Sequence, residues 1–345
     1  MILADPNGRA APPGIGSRST LDELFRRAAA RRPDAIALMD PPDRETFTDG
    51  APRRLTYAEA DRVVSAMAGR LHQMGLRTDT IVGIQVANSV ESVLTLLAVL
   101  RAGLIAMPLP LLWRRADMAE ALDRVGCNAL IVSGRIGAAD HFDLAVQVAV
   151  EVFSIRCVCG FGPRAPDGVV SFDDLFDGEA PDPVPSIESA RALPPGPSAH
   201  LAVVTWDVTT EGLVPIGRSH AELTAGGLAV MLESGLAQDA VVLSTITLSS
   251  FAGLAVSLLP WLLTGGTLAL HHPFDPATFA AQCAAAQPDT VIVPGVLVEQ
   301  FAEAGHLSGQ GSIKSVVSVW RAPERLARAP RWPHPAVSMT DVQLF

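Results

Sequence analysis

TIVGIQVANSVESVLTLLAVLRAGLIAMPLP, residues 80–110, reads as strand, helix, strand. Thr80 to Val86 is an apolar run of strand length, the pattern of a strand buried on both faces. Ser89 is a capping residue ahead of a helix from Val90 to Ala102, and Gly103 supplies the stop. Leu104 to Pro108 is a second short apolar strand. Helices alternating with short apolar strands predict parallel sheet covered by helices on both faces.

The same rhythm runs outward in both directions. Upstream, Thr20-Leu21-Asp22-Glu23 opens a helix that ends near Arg31-Arg32-Pro33, with Thr20 as cap and Glu23 completing a capping box. Ala35 to Asp40 is strand-like and Asp43 to Pro52 is a polar turn. Thr56-Tyr57-Ala58-Glu59 starts a second capped helix that reaches Met74 and closes at Gly75. Downstream, Met118 to Val125 is helical, Ala129 to Val132 and Glu151 to Cys159 are strands, and Ala180 to Ser198 is a proline-rich connection. His200 to Thr205 is a strand, and a helix starts at His220. Val241 to Thr245, Thr267 to Leu270 and Thr290 to Val293 are further strands, and Leu297 to Glu303 is helical. The expected architecture is α/β. A disordered lead over residues 1–19 precedes two associated subdomains with parallel-rich sheets flanked by helices, 20–180 and 181–345, and a ligand cleft lies between them.

Composition excludes several functions. The 345 residues carry 26 lysines and arginines against 36 aspartates and glutamates, a net charge of −10, so no basic face is available to grip nucleic acid. Hydrophobic residues make up 49% and charged ones 18%, which fits a folded apolar chain and not a disordered one. Val241 to Leu270 is uncharged and long enough to span a bilayer. Ser249, Ser250, Gly253, Pro260 and Gly265-Gly266 break it into strand, helix and strand, so no transmembrane segment is expected. Residues 1–19 lack the apolar core of a signal peptide. Cys127, Cys157, Cys159 and Cys283 have neither zinc nor redox spacing and read as buried free thiols of a cytoplasmic protein. G-x-S-x-G and G-x-G-x-x-G are both missing, which leaves serine-hydrolase and dinucleotide readings without a motif. His271-His272 has no carboxylate at ligand spacing and reads as a surface turn, so no metal site is expected.

Four stretches stand in a set order: Leu55-Thr56-Tyr57-Ala58-Glu59; Val90 to Pro110, with Leu100-Arg101-Ala102-Gly103 and Pro108-Leu109-Pro110; Leu262-Leu263-Thr264-Gly265-Gly266-Thr267; and Pro288-Asp289-Thr290-Val291. In that order they resemble the LTYxEL, LAxLxAGAxxxPLxP, LxxGAT and PTxxxxVP elements of the large N-terminal domain of AMP-forming acyl-CoA synthetases and other adenylate-forming ligases. The likeness covers nearly the whole chain. It implies that a carboxylate and Mg-ATP give an acyl-adenylate and pyrophosphate, with transfer to the thiol of CoA or of a carrier protein, as in fatty acid metabolism.

The departures fall where that family does its chemistry. Its phosphate loop reads TSGTTGxPKGV, with a histidine shortly after. Aligned on His220, this chain keeps Thr209 and Thr210. It has Asp207 for the serine, Val208 and Glu211 for glycines, Leu213 for the proline, Val214 for the lysine and Pro215 for the next glycine. A shifted register would use Gly212 and Gly217 and still supply no lysine. Glu211 would repel a triphosphate, and the branched Val208 and Val214 would block close backbone approach. The single lysine, Lys314, lies in another part of the pattern.

Trp320-Arg321-Ala322-Pro323 stands for the adenine-contacting GGAP, with Trp320 filling space a nucleobase would use. Ser249-Ser250-Phe251-Ala252-Gly253 stands for the aromatic-histidine pair at the acyl pocket. The resemblance thus makes Thr209, Thr210, Gly212, Ala322 and Pro323 the nucleotide-binding candidates, and Ser249, Ser250, Phe251 and Gly253 the acyl-pocket candidates. It assigns no residue to catalysis or to a metal. Asp341 to Phe345 resembles the strand before the family's aromatic-Gly-x-Thr-Glu motif, so the C-terminal lid domain is expected to be absent. Two readings stay open. One is an acyl-activating ligase of weak or no activity, using ATP and Mg if active, on a small carboxylate. The other is a catalytically dead member, a pseudoenzyme that binds an acyl group or assembles as a homodimer or with an active family partner.

Overall fold

A computed structural model describes residues 19–178, 196–210, 212–307, 311–321 and 332–344. Most of the expected disordered lead and of the proline-rich connection lies outside these residues, as do Glu211, Ala322, Pro323 and Phe345. Two seven-stranded sheets carry the fold. One runs Gly212–Ser219, Leu201–Thr209, Ile105–Pro108, Ile81–Gln85, Ala129–Ser133, Cys157–Phe161, Val169–Ser171. The other runs Ser338–Leu344, Ser315–Arg321, Thr290–Pro294, Val241–Ser244, Thr267–Leu270, Ile36–Met39, Arg54–Thr56. Each sheet is parallel except for one antiparallel pair at an edge.

The sheets do not divide the chain at residue 180. Ile36–Met39 and Arg54–Thr56 join the second sheet beside Thr267–Leu270, and the hairpin from Leu201 to Ser219 extends the first. The rhythm of strands and helices carries no record of which sheet edge a strand joins.

Side-chain alternation builds the layers. Val82, Ile84, Ala129 and Ile131 face a central core, while Ile81, Leu130 and Val132 face an outer one. In the second sheet, Val242, Leu268 and Val317 face the same central core, and Leu243, Ala269 and Val316 face a third. Helices Tyr57–Gln73, Val90–Arg101 and His220–Glu233 contribute to the central layer. Arg115–Val125 and His141–Glu151 cover the first sheet's outer face, and Pro276–Ala286 and Val298–Glu303 cover the second's. Val90–Arg101 is buried from Val90 to Leu100, which explains why it is apolar all round. Also in the central layer, Tyr57 stacks on Trp261, with centroids 6.0 Å apart at 11°. Tyr57 Oη and Trp261 Nε1 both donate to the Gly266 carbonyl, at 2.8 and 3.0 Å.

Local details confirm some expectations and correct others. Thr20 Oγ1 accepts from the Glu23 amide at 3.1 Å, and Thr56 with Glu59 forms a full capping box. Ser89 does not cap its helix: its hydroxyl donates to Glu91 at 2.7 Å. The Val90 amide donates instead to Asp40 Oδ1, also at 2.7 Å, because a buried carboxylate is the stronger acceptor. The polar turn from Asp43 holds a 3₁₀ turn, Arg44–Thr46, and Arg44 is buried between Asp40 at 2.6 Å and Glu91 at 2.8 Å. Arg53 reaches Glu91 at 3.0 Å. Burial and the Glu91 charge push the Asp40 pKa up to about 6, whereas Glu91, also pushed up by burial, is held low by Arg44.

The strand expected from Glu151 begins only at Cys157, since Glu151 ends the helix His141–Glu151. That helix is valine-rich and locally strand-prone; the Asp140 cap and the packing of Phe142, Ala145 and Val148 decide its form. Helix Pro276–Ala286 and strand Ser315–Arg321 add to the elements read from sequence. Among the described residues no helix is long and apolar enough to cross a membrane.

Candidate functional site

A cavity of about 920 Å³ opens where strands of both sheets end. Its walls come from the turns after Ile105–Pro108 and Ala129–Ser133 in the first sheet. The second sheet adds residues that follow or end Val241–Ser244, Thr267–Leu270, Thr290–Pro294, Ser315–Arg321 and Ser338–Leu344. Parallel sheets place ligands at these carboxyl ends because chain turns there are free to vary while the strands hold them in register. Arg114 and Arg321 line the cavity, and its described lining residues include no aspartate or glutamate. The remainder of the wall is largely apolar, with Phe47, Ile136, Ile246 and Val319 among its members.

Ser249 and Ser250 line this cavity. The Ser250 hydroxyl donates to the Thr247 carbonyl at 3.0 Å and accepts from the Gly253 amide at 3.2 Å. Gly253 serves that turn: a Cβ there would stand 2.1 Å from the Thr247 carbonyl oxygen. Phe251 lies beneath the Arg218 guanidinium, 3.8 Å from ring centroid to Cζ, and is not among the lining residues.

The described residues between Trp206 and Ser219 form no open loop. Leu201–Thr209 and Gly212–Ser219 form an antiparallel ladder that ends at the pair Thr209 and Gly212. Val203, Val204, Val208, Val214 and Ile216 suit a pleated surface, and the first strand continues past Thr205 to Thr209, paired with the second. Thr209 and Thr210 are exposed at the tip, the Thr209 hydroxyl donates to the Gly212 carbonyl at 3.0 Å, and neither threonine nor Gly212 lines the cavity. Gly212 takes φ +109, and Glu120 Oε1 lies 3.9 Å from where its Cβ would be. Farther along, His220 is buried and its Nδ1 accepts from the Leu21 amide at 3.2 Å, which ties the two helix starts together.

Trp320 does not fill the cleft. Strand alternation sends Val319 and Arg321 to the cavity and Trp320 to the other face, against Gly295 and with Nε1 donating to Ser318 and Asp341. Lys314 sits before strand Ser315–Arg321, at the end of the sheet away from the cleft, paired with Asp289 at 2.8 Å. His271-His272 is not a surface turn: His271 is buried and His272 lines the cavity, because the strand Thr267–Leu270 delivers the pair to the cleft floor. Arg114, Arg321, His272 and Phe47 were absent from the sequence candidates. Their one signal is position at or just beyond a strand end or, for Phe47, in the long connection between two strands.

Two parallel-rich sheets with an arginine-bearing cavity at their carboxyl ends define an α/β ligand-binding domain. The sequence profile of the AMP-binding enzyme family matches residues 25–327, and the chain belongs to that family. It is 29% identical over 252 residues to the feruloyl-CoA synthase of an Amycolatopsis species, covering 73% of this chain and 45% of that protein. It is 28% identical over 271 residues to a salicyl-AMP ligase / salicyl-S-ArCP synthetase of Mycobacterium tuberculosis, covering 78% and 45%. The chain thus spans about half the length of these relatives. Its fold superimposes on apo MbtA of Mycobacterium smegmatis with a TM-score of 0.73 at 23% identity, over 89% of this chain and 53% of that one.

Proposed function

We propose that the cleft takes a small carboxylate that carries no ammonium group, as an acid-activating member of the family would, and that its adenylation by Mg-ATP is weak or absent. The observation that carries this reading is the charge of the cavity wall. Arg114, its Nη1 donating to the Leu111 and Trp113 carbonyls, and Arg321 bring positive charge that a carboxylate would meet, and no acidic side chain among the described lining residues offers a partner to an ammonium. Two relatives bear names of acyl-group enzymes, feruloyl-CoA synthase and salicyl-AMP ligase, which supports the substrate class.

The nucleotide half of the family reaction fits less well. A phosphate cradle needs successive backbone N–H groups converging on one point. A strand aims successive N–H groups to opposite sides, and both arms of the hairpin are strands. The tip adds Glu120 as a neighbouring carboxylate. Among its described residues the hairpin offers no such cradle for a transferring phosphate. What the described residues supply is carboxylate binding by the arginines and a largely apolar wall that sheds water. The same hairpin favours a second reading, a pseudoenzyme that holds an acyl group in a homodimer or beside an active partner. In either case the acceptor would be a CoA or carrier-protein thiol, and the four free cysteines suit a reducing cytoplasmic setting.

Calorimetry of the full chain with benzoate and with ATP, paired with carboxylate-dependent pyrophosphate exchange, tests the proposal. Benzoate is expected to bind, Arg114→Gln and Arg321→Gln each to weaken it about tenfold or more, and exchange to stay near background. Robust exchange at ordinary ATP concentration sinks the weak-adenylation half. Unchanged benzoate affinity in both variants sinks the arginine assignment.

A further inference from the structure

We propose that His272 is a specificity-determining residue, whose Nε2–H is a neutral donor that selects carboxylates bearing an oxygen acceptor on their apolar body. This rests on the reading of the cleft as a carboxylate site. The His272 ring lines the cavity, and Phe47 meets it edge-on with centroids 5.6 Å apart at 89°. Its Nδ1 is buried and has no hydrogen-bond partner. A bare buried N–H is rarer in folded proteins than a bare buried acceptor, so the proton belongs on Nε2. With Nδ1 buried and the residue lining the cavity, we take Nε2 as the ring nitrogen open to a ligand. Burial, and then the adjoining His271, lower the pKa of the ring, which is therefore uncharged near neutrality.

The neighbouring histidine takes the opposite tautomer. His271 Nδ1 lies 2.9 Å from Gln282 Oε1 and donates to it, because the Gln282 amide nitrogen is used on the Leu270 carbonyl at 2.8 Å. His271 Nε2 accepts from the Asp275 amide at 3.4 Å. His271 is thus committed to the fold, and His272 is turned toward the cleft.

Three of the four hydroxyls among the described lining residues donate within the protein, and the fourth, on Thr247, accepts from Ser249. Thr245 donates to the Ile292 carbonyl, Ser249 to Thr247 Oγ1 and Ser250 to the Thr247 carbonyl. Phe47 holds the imidazole in place and is itself held. It sits in the connection 40–53, is 3% exposed, and its carbonyl accepts from the Gly137 amide at 2.7 Å. Hairpin loops are usually two to five residues, and one as long as this is kept for a purpose. A ligand whose carboxylate meets the arginines therefore encounters, along its apolar body, a fixed donor set in an apolar wall.

The test compares the ortho, meta and para methoxybenzoates with the matching ethylbenzoates, which share their shape and lack the acceptor oxygen. Affinities for the full chain would be measured by calorimetry for wild type, His272→Phe and His272→Gln. At least one methoxy isomer is expected to bind wild type about tenfold tighter than its ethyl counterpart, the yield of one neutral hydrogen bond. His272→Phe is expected to erase that ratio and leave the ethyl ligand's affinity in place. His272→Gln, which restores an N–H donor, should recover part of it. Binding without discrimination in wild type, or a ratio that survives His272→Phe, overturns the proposal alone. No binding by any of the six overturns the carboxylate reading and this one with it. Ring-nitrogen NMR of the free protein gives a ligand-independent check: a proton on Nδ1, or on both nitrogens, near neutrality also overturns it.

Discussion

The ring of His141 is fully buried, with Nδ1 2.8 Å from Gln85 Oε1. The Gln85 amide nitrogen donates to the carbonyls of Pro110 and Trp113, the turn that presents Arg114 to the cleft. Burial, and then the Arg114 charge, push the His141 pKa down to about 4, from an ordinary value of 6.5. A depressed folded value means the unfolded chain takes up the proton first. The stability contributed by the neutral ring is complete above the ordinary value and is lost as pH falls toward the folded one, about 3 kcal/mol in all. Denaturation at about pH 7 and about pH 5 should show about 2 kcal/mol of this loss in wild type and a smaller one in His141→Gln. Equal losses in the two proteins would rule it out. Of these roles, little is legible in the sequence. Ser249 and Ser250 were singled out by their place in a motif, whereas Arg114, Arg321 and His272 reach one cavity only because strands of both sheets end around it.

Elements were more legible than residues, for a reason visible in their ends. Helix Tyr57–Gln73 announces itself through a local capping box, and the strand–helix–strand run 80–110 through burial that permits only apolar side chains. What escaped was decided elsewhere in the chain. The hairpin from Leu201 reads as a damaged loop because its glycines are judged against a motif, although its valines and isoleucine spell strand. Helix Val90–Arg101 is capped by Asp40, fifty residues upstream in sequence, instead of by Ser89. Asp40→Ala removes that cap and leaves Arg44 buried with one of its two carboxylate partners, so a loss of about 3–5 kcal/mol is expected in equilibrium denaturation. A loss below about 1 kcal/mol would show that the Asp40 contacts are replaced by others.

At the scale of the whole molecule, the two sheets exchange strands across residue 180, and both press on one central layer of helices. Neither half of the chain holds a complete sheet. Residues 19–178 lack the hairpin from Leu201 to Ser219, and the remainder lacks Ile36–Met39 and Arg54–Thr56. Fragments cut at the connection are therefore expected to be unfolded or molten alone and to regain native near-ultraviolet dichroism when mixed. Two independently folded halves would refute the shared core. Tyr57, the chain's single tyrosine, belongs to one fragment, and Trp261, on which it stacks, belongs to the other. At that separation the excited phenol hands its energy to the indole, so tyrosine emission is dark when the core is closed and bright when it opens. The pair that shares the Gly266 carbonyl is thus an optical switch already built into the protein, reporting in real time whether its two halves are joined.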